Sequence, residues 1–167
     1  MVSLRRVSML TFVLVVLAAA SILVAQKSDP LSGTWKLNLA KSKYSPASLA
    51  PKSGTTKLEV SGDAIKTTTD GVDAQGRTTH TEYAAKFDGK DYPWKGTIAG
   101  KPNLDQDSVS WKKIDDSNYE VVNTLKGQVL TTQRTVVSRD GKTRTNTLTG
   151  KNAQSQTINN TQVYERQ

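Results

Sequence analysis

The sequence predicts an all-β domain, an antiparallel up-and-down β-barrel of about eight to ten strands. Apolar residues after position 26 alternate with polar ones at the two-residue period of a half-buried strand, as Trp35, Leu37 and Leu39 do. They almost never recur at the spacing of an amphipathic helix. Turn signals separate the alternating runs, and the Asp-Gly pair that favours tight hairpins recurs at residues 70, 88 and 140.

Ten segments carry this alternation, and we expect strands over residues 33–39, 55–61, 64–69, 77–86, 92–98, 107–114, 118–126, 129–138, 143–149 and 156–166. An open meander of this size would leave two exposed edges, and closure into a barrel removes them. Residues 40–54, which contain Pro46 and Pro51, predict a loop or a short helical lid. Residues 99–106 predict a second long loop.

The first 25 residues differ from the rest and predict an export signal. Arg5 and Arg6 form a basic start, residues 9–17 are apolar apart from one threonine, and residues 18–20 are three alanines of the size that a signal peptidase requires. We therefore expect a protein that is exported to the periplasm or secreted.

Cleavage after Ala20 or after Ala25 fits this pattern and leaves residues 26–167 as one domain. The alternative is a retained membrane anchor, because the apolar run 7–25 is nearly long enough to cross the ~30 Å hydrocarbon core. After cleavage we expect no stable membrane insertion. The sequence leaves the oligomeric state open.

Composition narrows the classes of partner. The chain holds 23 Lys and Arg against 15 Asp and Glu, but the basic residues lie in ones and twos without a nucleic-acid motif, so we expect no nucleic-acid partner. Without cysteine there is no disulfide scaffold and no lipidated cysteine. One histidine and no cysteine cannot supply the usual zinc ligands, and we expect no metal and no cofactor.

The core is predicted to be thin and partly polar. From residue 26 onward the chain has 23 Leu, Ile, Val and Phe residues, and threonine, a good strand former, occurs 20 times. If Tyr119 faces inward, Asn123 does as well, and on the last strand Tyr164 would bring Asn160 and Gln162 inward. A dry core penalises buried amides, whereas a hydrated cavity does not.

Two short segments carry a family resemblance. Gly33-Thr34-Trp35 opens the first predicted strand and is similar to the Gly-x-Trp signature of lipocalins, in which the Trp closes one end of the barrel. The run 161–166 resembles the last strand of intracellular fatty-acid and retinoid carriers. The chain thus resembles the lipocalin and fatty-acid-binding protein (calycin) superfamily, and more closely the small exported bacterial lipocalin-like proteins. The resemblance implies a lipocalin-like barrel that carries a ligand.

The resemblance also points to a departure. In the carriers, an Arg two residues before the Tyr of the last strand grips the ligand carboxylate, and here that position is Gln162. A carboxylate would need another cation, and Arg134 on a preceding strand is our candidate.

Aromatic residues fall on separate predicted strands and could converge in one barrel, either as an ordinary core or as the lining of a ligand cavity. We predict nine cavity residues: Trp35, Tyr83, Trp94, Trp111, Tyr119, Asn123, Arg134, Gln162 and Tyr164.

These observations predict a protein that binds or carries a small apolar or amphipathic molecule without catalysis. One alternative is an envelope or extracellular interaction protein whose barrel is filled by side chains. Another is an enzyme that uses His80 and Glu82 within the barrel, since strand spacing places the two on one face. The chain has no nucleophile elbow, P-loop or dinucleotide fingerprint, and we predict no catalytic residues.

Overall fold

The computed structural model describes residues 28–167, so the predicted signal segment and its alternative, the anchor, lie outside the described residues. Residues 28–167 form one antiparallel sheet. Its strands are β1 (Gly33–Leu37), β2 (Ser53–Ser61), β3 (Ala64–Val72), β4 (Thr78–Lys86), β5 (Tyr92–Pro93), β6 (Lys95–Ile98), β7 (Lys101–Pro102), β8 (Ser108–Lys113), β9 (Asn118–Leu125), β10 (Gln128–Val137), β11 (Thr143–Lys151) and β12 (Thr157–Arg166). Within this part of the chain, no helix has the length and apolar character needed to span a membrane.

Neighbours in sequence are neighbours in the sheet along most of its length. The order from edge to edge is β5-β8-β9-β10-β11-β12-β1-β2-β3-β4-β6-β7, and the pairing of β12 with β1 joins the two ends of the domain. The sheet curls until its ends approach each other, where Asp88 bridges to Lys112 and the Nε1 of Trp111 donates to the hydroxyl of Tyr83 at 3.2 Å. The predicted antiparallel up-and-down, all-β fold is confirmed.

The strand count is higher than predicted, twelve instead of eight to ten. The expected strand 92–98 is divided at Trp94, whose amide bonds to the carbonyl of Asp107, and the expected loop 99–106 contains the short strand β7. The Asp-Gly pair at residue 70 is not a turn, because β3 continues to Val72.

The chain turns instead at residues 73–77, where Oδ1 of Asp73 accepts from the amides of Gln75 and Arg77. The predicted lid segment between β1 and β2 holds two short 3₁₀ turns, Leu39–Lys41 and Ala47–Leu49.

One end of the barrel is closed by an apolar plug. Leu31 and Trp35 are both 0% exposed, and the Nε1 of Trp35 donates to the carbonyl of Leu31 at 2.9 Å. The guanidinium of Arg166 lies over the Trp35 ring, 4.3 Å from its centroid. Its nitrogens also donate to the carbonyls of Pro30, Ser32 and Gly141. The Trp of the Gly-x-Trp segment therefore closes this end.

Asp29 ties the segment before β1 to the closed end. Its carboxylate accepts from the hydroxyl of Tyr119 at 2.6 Å, from the ammonium of Lys113 at 2.9 Å and from the amide of Leu31 at 2.9 Å. Burial by itself raises the pKa of Asp29, but these three hydrogen bonds together hold it below its ordinary value. Phe87, Trp111 and Tyr119 pack edge-on or tilted behind this contact.

Candidate functional site

The inward faces of β10, β11 and β12 become polar away from the closed end. We call the other end the mouth; it is bordered by the loops 38–52, 73–77, 103–107, 126–127 and 152–156. The strand registers stack the inward residues in four rungs. From the mouth inward they carry Thr131 and Ile158; Gln133, Leu148 and Asn160; Thr135, Asn146 and Gln162; and Val137, Arg144 and Tyr164.

We call the six polar residues of the first three rungs the polar ladder: Thr131, Gln133, Thr135, Asn146, Asn160 and Gln162. They share one face because side chains two positions apart in a strand point the same way. Four of the nine residues adjacent to the ladder in sequence are threonines, which are good strand formers.

The interior admits solvent. Thr79 and Thr81 alternate with exposed Thr78, His80 and Glu82 and so face inward, yet both keep part of their surface exposed. Gln162, which lies opposite the buried Asn146 in the register, is also partly exposed. Inward-facing side chains that still contact water indicate an open, hydrated concave surface.

A cavity of about 230 Å³ lies at the mouth. Its lining includes Asn123, Thr131 and Asn160 from the strands, together with loop residues such as Gln106 and Gln154. The Nδ2 of Asn123 donates to Oγ1 of Thr131 at 2.9 Å, and the Nε2 of Gln106 donates to Oδ1 of Asn123 at 2.9 Å. This network holds the amides of the cavity in fixed orientations.

Asn160 is 6% exposed and has hydrogen-bonding capacity left over in this cavity. Its Oδ1 accepts from the amide of Ser45 at 3.0 Å, while its Nδ2 donates to no acceptor among residues 28–167. Asn160 therefore offers two N–H donors to the cavity that it lines.

Arg144 is a buried charge on the innermost of the four rungs. It is 3% exposed, and its Cζ lies 4.2 Å from the ring centroid of Tyr164 and 5.6 Å from that of Trp35. Burial lowers its pKa to about 10. Within the described residues no carboxylate pairs with it, and its Nε is buried without a hydrogen-bond acceptor.

Further polar groups surround this arginine. The hydroxyl of Tyr164 donates to Oε1 of Gln162 at a long 3.4 Å, and the hydroxyl of Tyr44, from the lid segment, is buried without a hydrogen-bond partner among residues 28–167. Burial raises the pKa of Tyr44 to about 12, an effect that the neighbouring Gln162 only partly offsets. Burial also raises the pKa of Tyr83, which the charge of Arg144 partly opposes. We call Arg144, Tyr164, Gln162, Tyr44 and Tyr83 the arginine cluster.

The predicted cavity residues separate into distinct groups. Trp35, Trp111 and Tyr119 belong to the closed-end core. Trp94 is half-buried, with its ring against Gly96. The other inward-facing residues of the prediction are Tyr83, Gln162 and Tyr164, which belong to the arginine cluster, and Asn123, which lines the mouth cavity.

The assignment of Arg134 to the cavity is wrong. Arg134 sits one position from inward-facing Thr135, so it faces outward, where it is exposed and donates to Oδ1 of Asn118 at 3.1 Å. Sequence reasoning missed Arg144, although a signal was present. The run 143–148 alternates threonine with other residues, and placing Leu148 inward also turns Arg144 inward.

The idea of a catalytic His80 and Glu82 within the barrel is also wrong in its location. Both side chains lie on the outer face, beside a concavity of about 520 Å³. Nδ1 of His80 is 2.7 Å from Oδ1 of Asp70, and Glu82 pairs with Lys66 at 2.9 Å. Three of the charged or titratable side chains that border this larger concavity, Lys66, His80 and Glu82, thus already have partners. Residues 28–167 contain no cluster of three His, Asp or Glu side chains arranged to hold a metal.

Comparisons with known proteins place the fold. No family model matches the chain, and no curated protein matches it. Among solved structures, it is similar to zebrafish ileal bile acid-binding protein complexed with cholic acid, with a TM-score of 0.51 and 16% identity over 83% of this chain and 99% of that one. At this identity the likeness concerns the fold. The protein therefore has an antiparallel β-barrel fold similar to that of this bile acid-binding protein.

Proposed function

We propose that this protein binds a small amphipathic anion inside its barrel, without catalysis, and that Arg144 is the counter-ion. The observation that carries the proposal is the burial of Arg144 without a carboxylate partner among the described residues. Removing an ionised side chain from water is costly unless another group pairs with it. A ligand anion would supply that pair when it occupies the site.

The surroundings of Arg144 suit a ligand with both polar and apolar parts. The buried rings of Trp35 and Tyr164 pack near the guanidinium, and Leu148 and Ile158 line the mouth cavity with aliphatic surface. In the strand register, the polar ladder lies between that cavity and the arginine. The fold agrees with this role, because the zebrafish protein of similar structure binds a bile acid.

Export is part of the proposal. The basic start, apolar run and alanines of the first 25 residues support a protein that meets its ligand in the periplasm or outside the cell. Native mass spectrometry of protein purified without detergent, compared with the denatured sample, would detect a retained ligand as mass that is lost on unfolding.

The test uses 8-anilinonaphthalene-1-sulfonate, an amphipathic anion whose fluorescence rises in apolar sites. We expect saturable binding that weakens at least tenfold in Arg144→Met, which removes the charge and keeps an unbranched chain. Arg134→Met is the matched control, since Arg134 is exposed on the outer face of the adjacent strand, and it should bind like the wild type.

Equal binding by the wild type and Arg144→Met would contradict the role of Arg144. If the wild type binds no probe and carries no extra mass, the proposal fails. The result would then favour the filled barrel that acts through its surface.

A further inference from the structure

We infer that the ligand body is rich in hydroxyl groups, as in a sugar acid, and is not a hydrocarbon chain. This inference rests on the proposed function, because it describes the ligand of the same site. It follows from the polar ladder, whose amides and hydroxyls lie on the inward faces of β10, β11 and β12 between the mouth and the rung of Arg144.

The second and third rungs of the ladder retain unused hydrogen-bonding groups. The Oδ1 of Asn146 accepts from Oγ1 of Thr135 at 3.1 Å, which leaves its Nδ2 without an acceptor in the described chain. The Nε2 of Gln133 donates to the same Thr135 oxygen at 2.8 Å, which leaves the Oε1 of Gln133 without a donor there. Asn160 has a free Nδ2, as described above.

The unused groups are therefore of both kinds, N–H donors on Asn146 and Asn160 and a carbonyl acceptor on Gln133. A hydroxyl group both donates and accepts, so a polyol can satisfy both kinds at once. A methylene chain in the same place would displace water from these amides and satisfy none of them. The lining thus favours hydroxylated ligands over acyl chains.

The dimensions fit a ligand of about two sugar units. Asn160 lies four residues from Tyr164, the register partner of Arg144, which corresponds to roughly 13 Å along the strand. A carboxylate at Arg144 could therefore belong to a molecule whose far end reaches Asn160. The mouth cavity of about 230 Å³ has room there for a ring of sugar size.

The experiment compares two carboxylates with twelve carbons each, lactobionate, which carries many hydroxyls, and laurate, which carries none, the latter below its micelle concentration. We measure both by isothermal titration calorimetry with the wild-type protein. We expect lactobionate to bind at least tenfold more tightly than laurate. This comparison requires no substitution and is independent of any effect on folding.

Two variants of β12 then locate the contact. Asn160→Leu replaces the inward amide with a side chain of similar size, and we expect at least a fivefold loss of lactobionate affinity with laurate binding unchanged. Asn159→Leu makes the same change at the exposed neighbouring position and should behave like the wild type. A thermal melt of each variant confirms that it is folded.

The outcomes separate the two proposals. If laurate binds more tightly than lactobionate, and Arg144→Met weakens that binding, the inference of a hydroxylated ligand is overturned. The proposed anion site at Arg144 is then retained. If neither carboxylate binds although the sulfonate probe depends on Arg144, the sugar-acid class is again overturned. If no anion binding depends on Arg144, the proposed function fails as well.

Discussion

Two arginines lie over the ring of Trp35, and their surroundings differ. Arg166 is 4.3 Å from the ring centroid and donates to three main-chain carbonyls of the closed end. Arg144 is 5.6 Å from the same centroid, is almost fully buried and has no hydrogen-bond acceptor among residues 28–167. Two arginines beside the same aromatic ring therefore differ in their hydrogen bonding: within the described residues, Arg166 is satisfied and Arg144 is not.

The closed end and the mouth side of the barrel differ in the same way, in whether their polar groups have hydrogen-bond partners. At the closed end, the polar groups of Asp29, Trp35 and Tyr119 all have partners. Toward the mouth, the Nε of Arg144, the hydroxyl of Tyr44 and the Nδ2 of Asn160 have none within the described residues. Because buried polar groups are nearly always paired in folded proteins, the unpaired end is the place to look for a ligand. The paired groups of the closed end contribute stability, whereas the unpaired groups toward the mouth reduce it.

The largest effect should come from the plug. Trp35→Ala leaves a cavity under Leu31 and removes the surface on which Arg166 lies, so we expect a loss of about 3–5 kcal/mol in the free energy of unfolding. Urea denaturation followed by circular dichroism measures the change. Trp94→Ala, at a half-buried position, is the control and should cost clearly less. Similar losses in the two variants would show that Trp35 is not the plug.

This plug could be predicted from a local sequence pattern, whereas the position of Arg144 could be predicted only together with the strand register. Gly33-Thr34-Trp35 is a local pattern at the start of a strand, and its alternation specifies which residues are buried. The position of Arg144 depends on the register of three strands that lie apart in sequence, and a slip of one residue reverses every face. The sequence prediction named Arg134 and missed Arg144, because composition alone does not distinguish an inward from an outward arginine.

The boundaries of the twelve strands could likewise be predicted only in part from sequence. Alternation predicted the long strands, but the division of 92–98 at Trp94 comes from a pairing with Asp107 across the sheet, and no local residue signals it. The Asp-Gly pair at residue 70 lies inside β3 because the side chain of Asp73 organises the turn three residues later. Tertiary pairing and side-chain hydrogen bonds thus override the local turn preference.

The second-largest loss of stability is expected for substitution of Arg166, which separates its role from that of Arg144. Arg166→Met removes charge-assisted hydrogen bonds to the carbonyls of Pro30, Ser32 and Gly141, and we expect a loss of about 2–3 kcal/mol in unfolding free energy. The measurement is the midpoint of urea denaturation at neutral pH. A loss below that of an exposed substitution such as Arg134→Met would mean that these bonds do not stabilise the closed end.

Arg144→Met should act in the opposite direction and by a smaller amount. Replacing a buried charge that has no acidic partner with an apolar side chain removes a desolvation cost, and we expect a gain of about 1–2 kcal/mol after the loss of its contact with Tyr164. The same denaturation experiment, without ligand, checks it. Destabilisation of the size seen in Arg166→Met would assign Arg144 a structural role and would weaken the case for an anion site.

The smallest effect concerns the unpaired hydroxyl of Tyr44. Tyr44→Phe removes a buried hydroxyl that has no partner among the described residues, so at pH 8 we expect the unfolding free energy to change by less than about 1 kcal/mol, in the direction of a gain.

The unfolding free energies of the wild type and of Tyr44→Phe should diverge at alkaline pH. Burial raises the pKa of Tyr44 to about 12 from an ordinary 10.0, so the folded state keeps a proton that the unfolded chain loses. The stability that this linkage provides is complete below pH 10 and is lost as pH rises to about 12, in the wild type alone. Between pH 10 and 12 we therefore expect the wild type to lose stability more steeply than Tyr44→Phe. The other ionising groups, including Arg144, are common to both proteins and cancel in the comparison. Parallel curves would show that the hydroxyl of Tyr44 is hydrated in solution and that the lid segment leaves the arginine cluster open to water.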